Sequence, residues 1–368
     1  MRSNNEFTIT SKQLIFIMIG AMLGSGILSL PRLAAKEAGQ DAWFAVILGS
    51  LFPLVSICLI RFLYKKNKAE SYVALCRKIG GRYLGGFFCI LLAVYSLSIT
   101  AVLLRVFIEV VSIFLLQDTP KLVKLFLMLS VCAYIAAGNA KVLGRVYEFL
   151  FYILLPLLLF SLPAIINNSD YLNLLPVFNH SISDYAQASL TTGFAFSGFE
   201  LYLIFHPYVS REKEAFRASL YALLITLILY LYYVVSAILV FGPDLVQQFT
   251  WPTLRLLATA EIPVIERIEF LFIQAWIGVS FRPVSAQYYS ASNILAGLLG
   301  LKSQTPVTLA LFPLIIFIAY LPSDIFQVLE LSDYFGMAAL ALGIGLPLLL
   351  IVVGYLSGLW RKGQNEKA

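Results

Sequence analysis

Charge is what this chain has least of. Aspartate, glutamate, lysine and arginine make up 12% of its 368 residues, where soluble domains carry about a quarter. Hydrophobic residues reach 60% and the mean hydropathy is +0.87, which excludes a soluble globular fold and describes a polytopic membrane protein. Histidine occurs only as His180 and His206, and no cysteine or histidine falls at metal-ligating spacing, so no metal site is expected. His206, beside Pro207, reads as a snorkelling interfacial side chain or a proton relay. The four cysteines offer no disulfide framework: Cys58, Cys89 and Cys132 lie in apolar segments and Cys76 in a basic loop, and all four read as packing residues. No Walker loop is present, so the chain is not itself a nucleotide hydrolase; neither an enzyme nor a cofactor is expected. A cleavable signal peptide is also missing, because residues 7–13 are polar and the apolar stretch after them runs on as a full span, which is expected to stay.

What is there is apolar sequence in long runs. At about 20 residues per span the chain divides into ten segments. They are Ile15–Leu33, Trp43–Leu63, Leu84–Leu115, Leu122–Gly138, Val146–Ile166, Tyr185–His206, Ala218–Phe241, Ile265–Leu295, Val307–Leu321 and Phe335–Leu359. The whole chain, 1–368, reads as one all-α transmembrane domain, and the long third and eighth segments are expected to tilt or project beyond the bilayer. With the N-terminus inside, cytoplasmic segments hold 19 of the 26 basic residues, Arg282 among them, and only Arg105 falls within a span. That excess satisfies the positive-inside rule and puts both termini in the cytoplasm. The basic balance therefore calls for no nucleic-acid partner; the run from Arg61 to Arg82 reads as a topology determinant, or as a contact for anionic lipid or a docked subunit.

Two of the ten segments are interrupted. Gly20-Ala-Met-Leu-Gly24-Ser25-Gly26 lies in the first and Phe196-Ser197-Gly198-Phe199-Glu200 in the sixth. Glycine weakens a helix, and an unpaired peptide group in lipid is costly, so such breaks persist only where protein or a polar cavity covers them. Five segments lie in each half, so the first and sixth run in opposite directions. This is the pattern of a LeuT-type 5+5 inverted repeat with broken helices 1 and 6, the repeats covering about 12–168 and 183–360. The alternative is that Gly20-x-x-x-Gly24 is a small-residue packing face between straight helices.

At the breaks, the N–H groups of Gly24, Ser25 and Gly26 would start the outer half of helix 1, whose positive dipole end favours a carboxylate. Carbonyls near Ile19 to Met22, and around Phe196 and Ser197, would favour an ammonium group or a cation, so a zwitterionic amino acid meets both demands. Phe194, Phe196 and Phe199 would shape an apolar wall or serve as ordinary core. Glu200, near mid-membrane, is a functional candidate and equally a cap on the inner half of helix 6. Arg105 and Glu109, four apart on helix 3, are expected to pair, with gating as a further role. Arg267 and Glu269 read as interfacial or paired residues. The stretch from Gly242-Pro243 through Trp251-Pro252 to Ile262-Pro263 reads as a connector or a short lid.

Through Gly24-Ser25-Gly26-Ile27 and Phe196-Ser197-Gly198-Phe199-Glu200 the chain resembles the amino acid/polyamine/organocation permease superfamily. Within it, the chain is most similar to the B subunit of bacterial spore germinant receptors. Gly26-Ile27-Leu28 with Leu30-Pro31, Gly39-Gln40-Asp41-Ala42-Trp43, Leu104-Arg105 with Glu109, and Thr119-Pro120 carry that likeness. Asn173 with Pro176, Pro252-Thr253-Leu254, and Glu266-Arg267 with Glu269 extend it along the chain. The resemblance implies a protein of the spore inner membrane, acting with a larger membrane A subunit and a lipoprotein C subunit to sense nutrients such as amino acids. It also implies a germinant pocket lined by Gly24, Ser25, Gly26, Ser197 and Gly198; Phe196 and Glu200 join it from their place at the break, and Tyr95, Ser98 and Gln274 are added at matching depth. One departure bears on the alternative, an amino acid permease: the stretch Phe149 to Pro163 of helix 5 lacks the lysine some proton-coupled relatives carry, which favours sensing over accumulation.

Overall fold

The computed structural model describes residues 8–24, 26–260 and 268–357, side chains at 154, 157, 158 and 268–270 excepted. Ser25, Ile262, Pro263, Glu266, Arg267, the side chain of Glu269 and the terminal basic residues Arg2, Arg361, Lys362 and Lys367 fall outside that description. Among the described residues every regular element is helical, as expected where lipid offers the backbone no partner but itself. In the first half the helices are α1 (Ser11–Met22), α2 (Gly26–Ala38), α3 (Ala42–Gly49), α4 (Leu51–Asn67), α5 (Tyr72–Phe114), α6 (Lys121–Ala137), α7 (Ala140–Leu159) and α8 (Leu162–Asn168). The second half holds α9 (Ile182–Ala195), α10 (Tyr202–Phe205), α11 (Glu212–Val246), α12 (Pro252–Ala258), α13 (Ile268–Leu299), α14 (Thr305–Tyr320), α15 (Ile325–Leu340) and α16 (Leu346–Leu356).

Four stretches are long and apolar enough to cross a membrane: Gly26–Asn67, Tyr72–Phe114, Glu212–Val246 and Ile325–Leu356. The first of these turns at Gly39, whose φ of +51° separates α2 from α3 and α4. A fifth is added if α9 and Phe199–Tyr208, bent by 57°, are counted as one span. Phe87, Ile90 and Val94 on α5, Leu224 and Ile228 on α11, and Leu349 and Val352 on α16 are exposed at helical spacing. Apolar stripes of this kind suit lipid and not water.

The core is organised around the broken segments. The long helices α5 and α13 pack along each other more extensively than any other pair. Beside them α1 lies on α11, α9 lies on α3, and α2 touches both α9 and α11. Close crossing at α3 and α9 depends on Gly49, where a Cβ would overlap Thr192 Oγ1 and sit 2.8 Å from the Gly193 nitrogen. Thr192 Oγ1 in turn donates to the Ala45 carbonyl at 2.7 Å, so the small residue and the hydroxyl fix one register.

Three expectations need correction. Cys76 is not in a loop: α5 begins at Tyr72, and Gly81, at φ +67°, folds its first turns back so that the Tyr72 hydroxyl donates to the Phe88 carbonyl at 3.0 Å. Cys76 is buried there, whereas Cys58 is exposed on α4. The tenth segment begins at Ile325, ten residues before Phe335, where Asp324 Oδ1 caps the Gln327 N–H at 3.0 Å; Glu330 and Asp333 had lowered the apparent hydropathy of those turns. Arg282, grouped above with the cytoplasmic basic residues, is fully buried within α13.

Replacing Gly49 by valine is expected to cost about 1–3 kcal/mol through overpacking, lowering the thermal unfolding midpoint of the purified chain by several degrees. Gly86→Ala, where a methyl meets nothing within 4 Å, is the control and should leave it unchanged or raised.

Candidate functional site

The first break opens where α1 stops at Met22. Leu23 still donates to the Ile19 carbonyl at 2.8 Å, but its ψ of 85° leads the chain out of the helix, and α2 restarts at Gly26. The second break follows α9. Phe196 and Ser197 close its last turn, and Gly198, at φ +111°, redirects the chain into the turn Phe199–Leu201. These two irregular points touch: a Cβ on Gly198 would overlap the Ala21 carbonyl oxygen and lie 3.0 Å from the Met22 nitrogen. Only glycine has both the conformation and the clearance to sit there.

Tyr230 of α11 joins the same point. Its fully buried hydroxyl lies 2.8 Å from the Met22 carbonyl and 2.7 Å from that of Ala195, the terminal carbonyls of α1 and α9. One hydroxyl proton thus serves the open ends of two half-helices, which meets the demand that buried carbonyls be paired. Phe196 lies edge-on to the Tyr230 ring with centroids 5.0 Å apart.

Glu200 is fully buried and turned back on its own break. Oε2 accepts the Gly198 N–H at 2.8 Å, and Oε1 accepts Gln287 Nε2 at 2.7 Å and the Tyr95 hydroxyl at 3.4 Å. Tyr95 is also 3.4 Å from Ser197 Oγ. The carboxylate is therefore a cap and a strut between α5, α13 and the sixth segment. Phe199 packs on Gly343, where a Cβ would overlap its ring.

A cavity of about 110 Å³ opens at the breaks. Gly24, Gly26, Ser197, Phe194 and Gln287 line it, together with Met22 and Ala195. It continues past Ser29 and Arg32 of α2 to Trp251 and to Ser332 and Asp333 of α15. Arg32 and Asp333 bring opposite charges to the same wall without an ion pair among the described residues. Trp251 belongs to the stretch read as connector or lid, and Thr253 next to it donates to the Ile27 carbonyl at 2.7 Å, fastening α12 to the start of α2.

The residues singled out in the sequence thus part company. Gly24, Gly26 and Ser197 line the cavity; Phe196, Gly198, Glu200 and Tyr95 stand behind it and hold the breaks in shape. Ser25 lies outside the described residues. Ser98 faces a different cavity, and Gln274 is exposed on α13, where Gln287 supplies the amide instead. Arg105 and Glu109 do pair, at 2.7 Å. Sequence reasoning missed Tyr230, Gln287, Trp251 and the α15 wall. It also missed Arg282, whose stem packs against Gly20 and whose Nη atoms have no hydrogen-bond partner among the described residues. A charge inside an apolar span was the available signal for Arg282.

Interlocked breaks in a helical, lipid-facing chain define a permease-like membrane protein. Residues 8–328 match the family model described as spore germination protein, and the chain belongs to that family. Spore germination protein YndE of Bacillus subtilis (strain 168) is 28% identical over 98% of each chain. Spore germination protein A2 of the same strain is 28% identical over 92% of this chain and 93% of its own. Spore germination protein GerQB of Bacillus cereus is 26% identical over 81% and 82%.

Tyr230→Phe removes the hydroxyl shared by the Met22 and Ala195 carbonyls, leaving Met22 only the Gly24 N–H at 3.2 Å, and should cost about 1–3 kcal/mol. The expected readout is a lower unfolding midpoint, with helix content by circular dichroism unchanged.

Proposed function

We propose that this chain is the nutrient-sensing membrane subunit of a spore germinant receptor, and that it holds an amino acid in the cavity between the two breaks. The observation that carries the reading is the meeting of peptide ends at Met22, Gly24, Gly26 and Ala195 around that cavity. The N-terminal end of α2 suits a carboxylate, and the carbonyl ends of α1 and α9, which share the Tyr230 hydroxyl, each keep a second lone pair for an ammonium group. The cavity's modest volume favours a small amino acid.

Ten spans in a LeuT-type 5+5 arrangement accommodate this site. The exchange of partners, α1 on α11 and α9 on α3, supports two inverted repeats because it pairs the first segment with the seventh and the sixth with the second. Both termini then lie in the cytoplasm of the spore's inner membrane. The ligand biases one packing of the repeats, and a membrane A subunit and a lipoprotein C subunit read the change. Only differential affinity shifts such an equilibrium: a tenfold preference supplies about 1.4 kcal/mol.

The test is ligand-dependent thermal stability of the purified chain across a panel of amino acids and sugars. One amino acid at a hundredfold excess over its Kd should add about 2.7 kcal/mol. Gly26→Leu, whose Cβ would press on Ala195 and the Tyr230 hydroxyl beside the cavity, should abolish the shift and the nutrient response of spores while receptor assembly persists. Spores that keep their sensitivity with Gly26→Leu would refute the assignment. Accumulation of labelled amino acid in vesicles holding this chain alone would make it a permease instead.

A further inference from the structure

A second cavity, about 210 Å³, lies on another face of α5. Val102 and Ser98 of α5, Ala319 near the end of α14, Leu321 beyond it and Phe335 of α15 form walls that are almost wholly apolar. The exception is Arg105, whose side chain is 1% exposed and lines the cavity. Glu109 offsets its charge from one turn further along α5, at 2.7 Å from Nη2. Glu109 engages Nη2 alone, and Nε and Nη1 have no hydrogen-bond acceptor among the described residues.

Charged groups of both signs stand near this end of α5, Asp118 in the turn that follows it among them. Lys121 and Asp324 feel the Arg105 charge, and Lys124 is buried with its ammonium on Ser112 Oγ at 2.5 Å and the Leu116 carbonyl at 3.0 Å. Buried donors without acceptors are unfavourable, and water is a poor remedy where the walls offer it few partners. A carboxylate matches the guanidinium fork, and an apolar body matches the walls. We propose that this cavity is a second ligand site, taking an amphiphile whose anionic head, a carboxylate or a phosphate, sits on Arg105 and whose chain runs along Val102, Ala319 and Phe335.

The site adjoins the first cavity through shared walls. On α5, Ile99, Leu103 and Val106 face one cavity while Ser98, Val102 and Arg105 face the other; α15 is divided in the same way, with Asp333 on one side and Phe335 on the other. The Phe335 ring is 6.3 Å from that of Tyr95, whose hydroxyl reaches Glu200 and Ser197. An occupant therefore bears on the helices that enclose the nutrient cavity, and coupling between the two is reciprocal.

The same anionic, long-chain chemistry is offered by a free fatty acid and by an acidic membrane lipid. The experiment follows the melting temperature of the full chain in phosphatidylcholine nanodiscs titrated with octanoate, with octanol as the headless control. Octanoate should raise it by several degrees and octanol should not. Arg105→Gln should weaken octanoate binding at least tenfold. Because that change also strands Glu109, Ala319→Phe is the second variant: it fills the cavity, leaves the ion pair alone and should abolish the shift. Gly26→Leu should keep it, which separates this site from the nutrient cavity. An equal octanoate shift in discs containing phosphatidylglycerol assigns a free acid. A raised starting value in those discs, lost in Ala319→Phe and not increased by octanoate, assigns the lipid. Equal shifts from octanoate and octanol, a shift surviving in folded Ala319→Phe, or no effect of either amphiphile or lipid overturns the proposal.

Discussion

A peptide group that leaves its helix inside an apolar medium must find a partner in the protein, and this chain has two such places. It resolves both at once by pressing them together. Gly198 lies on the Ala21–Met22 peptide, Glu200 takes the Gly198 N–H, and Tyr230 closes the carbonyl ends of α1 and α9. Much else in the molecule follows from keeping that point in place. α5 and α13 flank it, Gln287 and Tyr95 reach in from them, and Gly343 recedes to admit Phe199.

This arrangement sorts the buried charges by their surroundings. Glu200 is held on several sides and serves the architecture. Arg282 shares a contact with Gly20 and gives Nε to the Val279 carbonyl at 3.1 Å, a bond within its own helix. Arg105 leans on Glu109 and turns its remaining donors to a hollow. Three buried ionisable residues in comparable apolar settings thus differ in how completely neighbours satisfy them.

The breaks were legible because clustered glycines weaken an apolar helix at one place, and there the chain can leave it. Accordingly α1 ends at Met22 and α9 at Ala195, beside those glycines. Helical periodicity told which residues share a face but not their depth, so Gln274 was chosen on α13 where Gln287 makes the contact. Ser98 is displaced for a related reason: its neighbour Ile99 lines the cavity at the breaks, and one step around α5 crosses to the other cavity. Tyr230 was invisible because an aromatic residue in a span looks like core until its hydroxyl is placed. The α15 wall was lost to hydropathy itself, since Ser332 and Asp333 make that part of the helix look like a loop.

The closing bond from Tyr230 to Met22 joins residues 208 positions apart in the chain. During synthesis the first segment reaches the bilayer long before α9 and α11 exist, so its interrupted backbone waits there unsheltered. Contacts of such sequence separation form late. Biogenesis of this protein is therefore most exposed to degradation or chaperone capture in the interval between emergence of the first segment and arrival of the seventh, and a chain truncated within that interval has no means of burying its own first break.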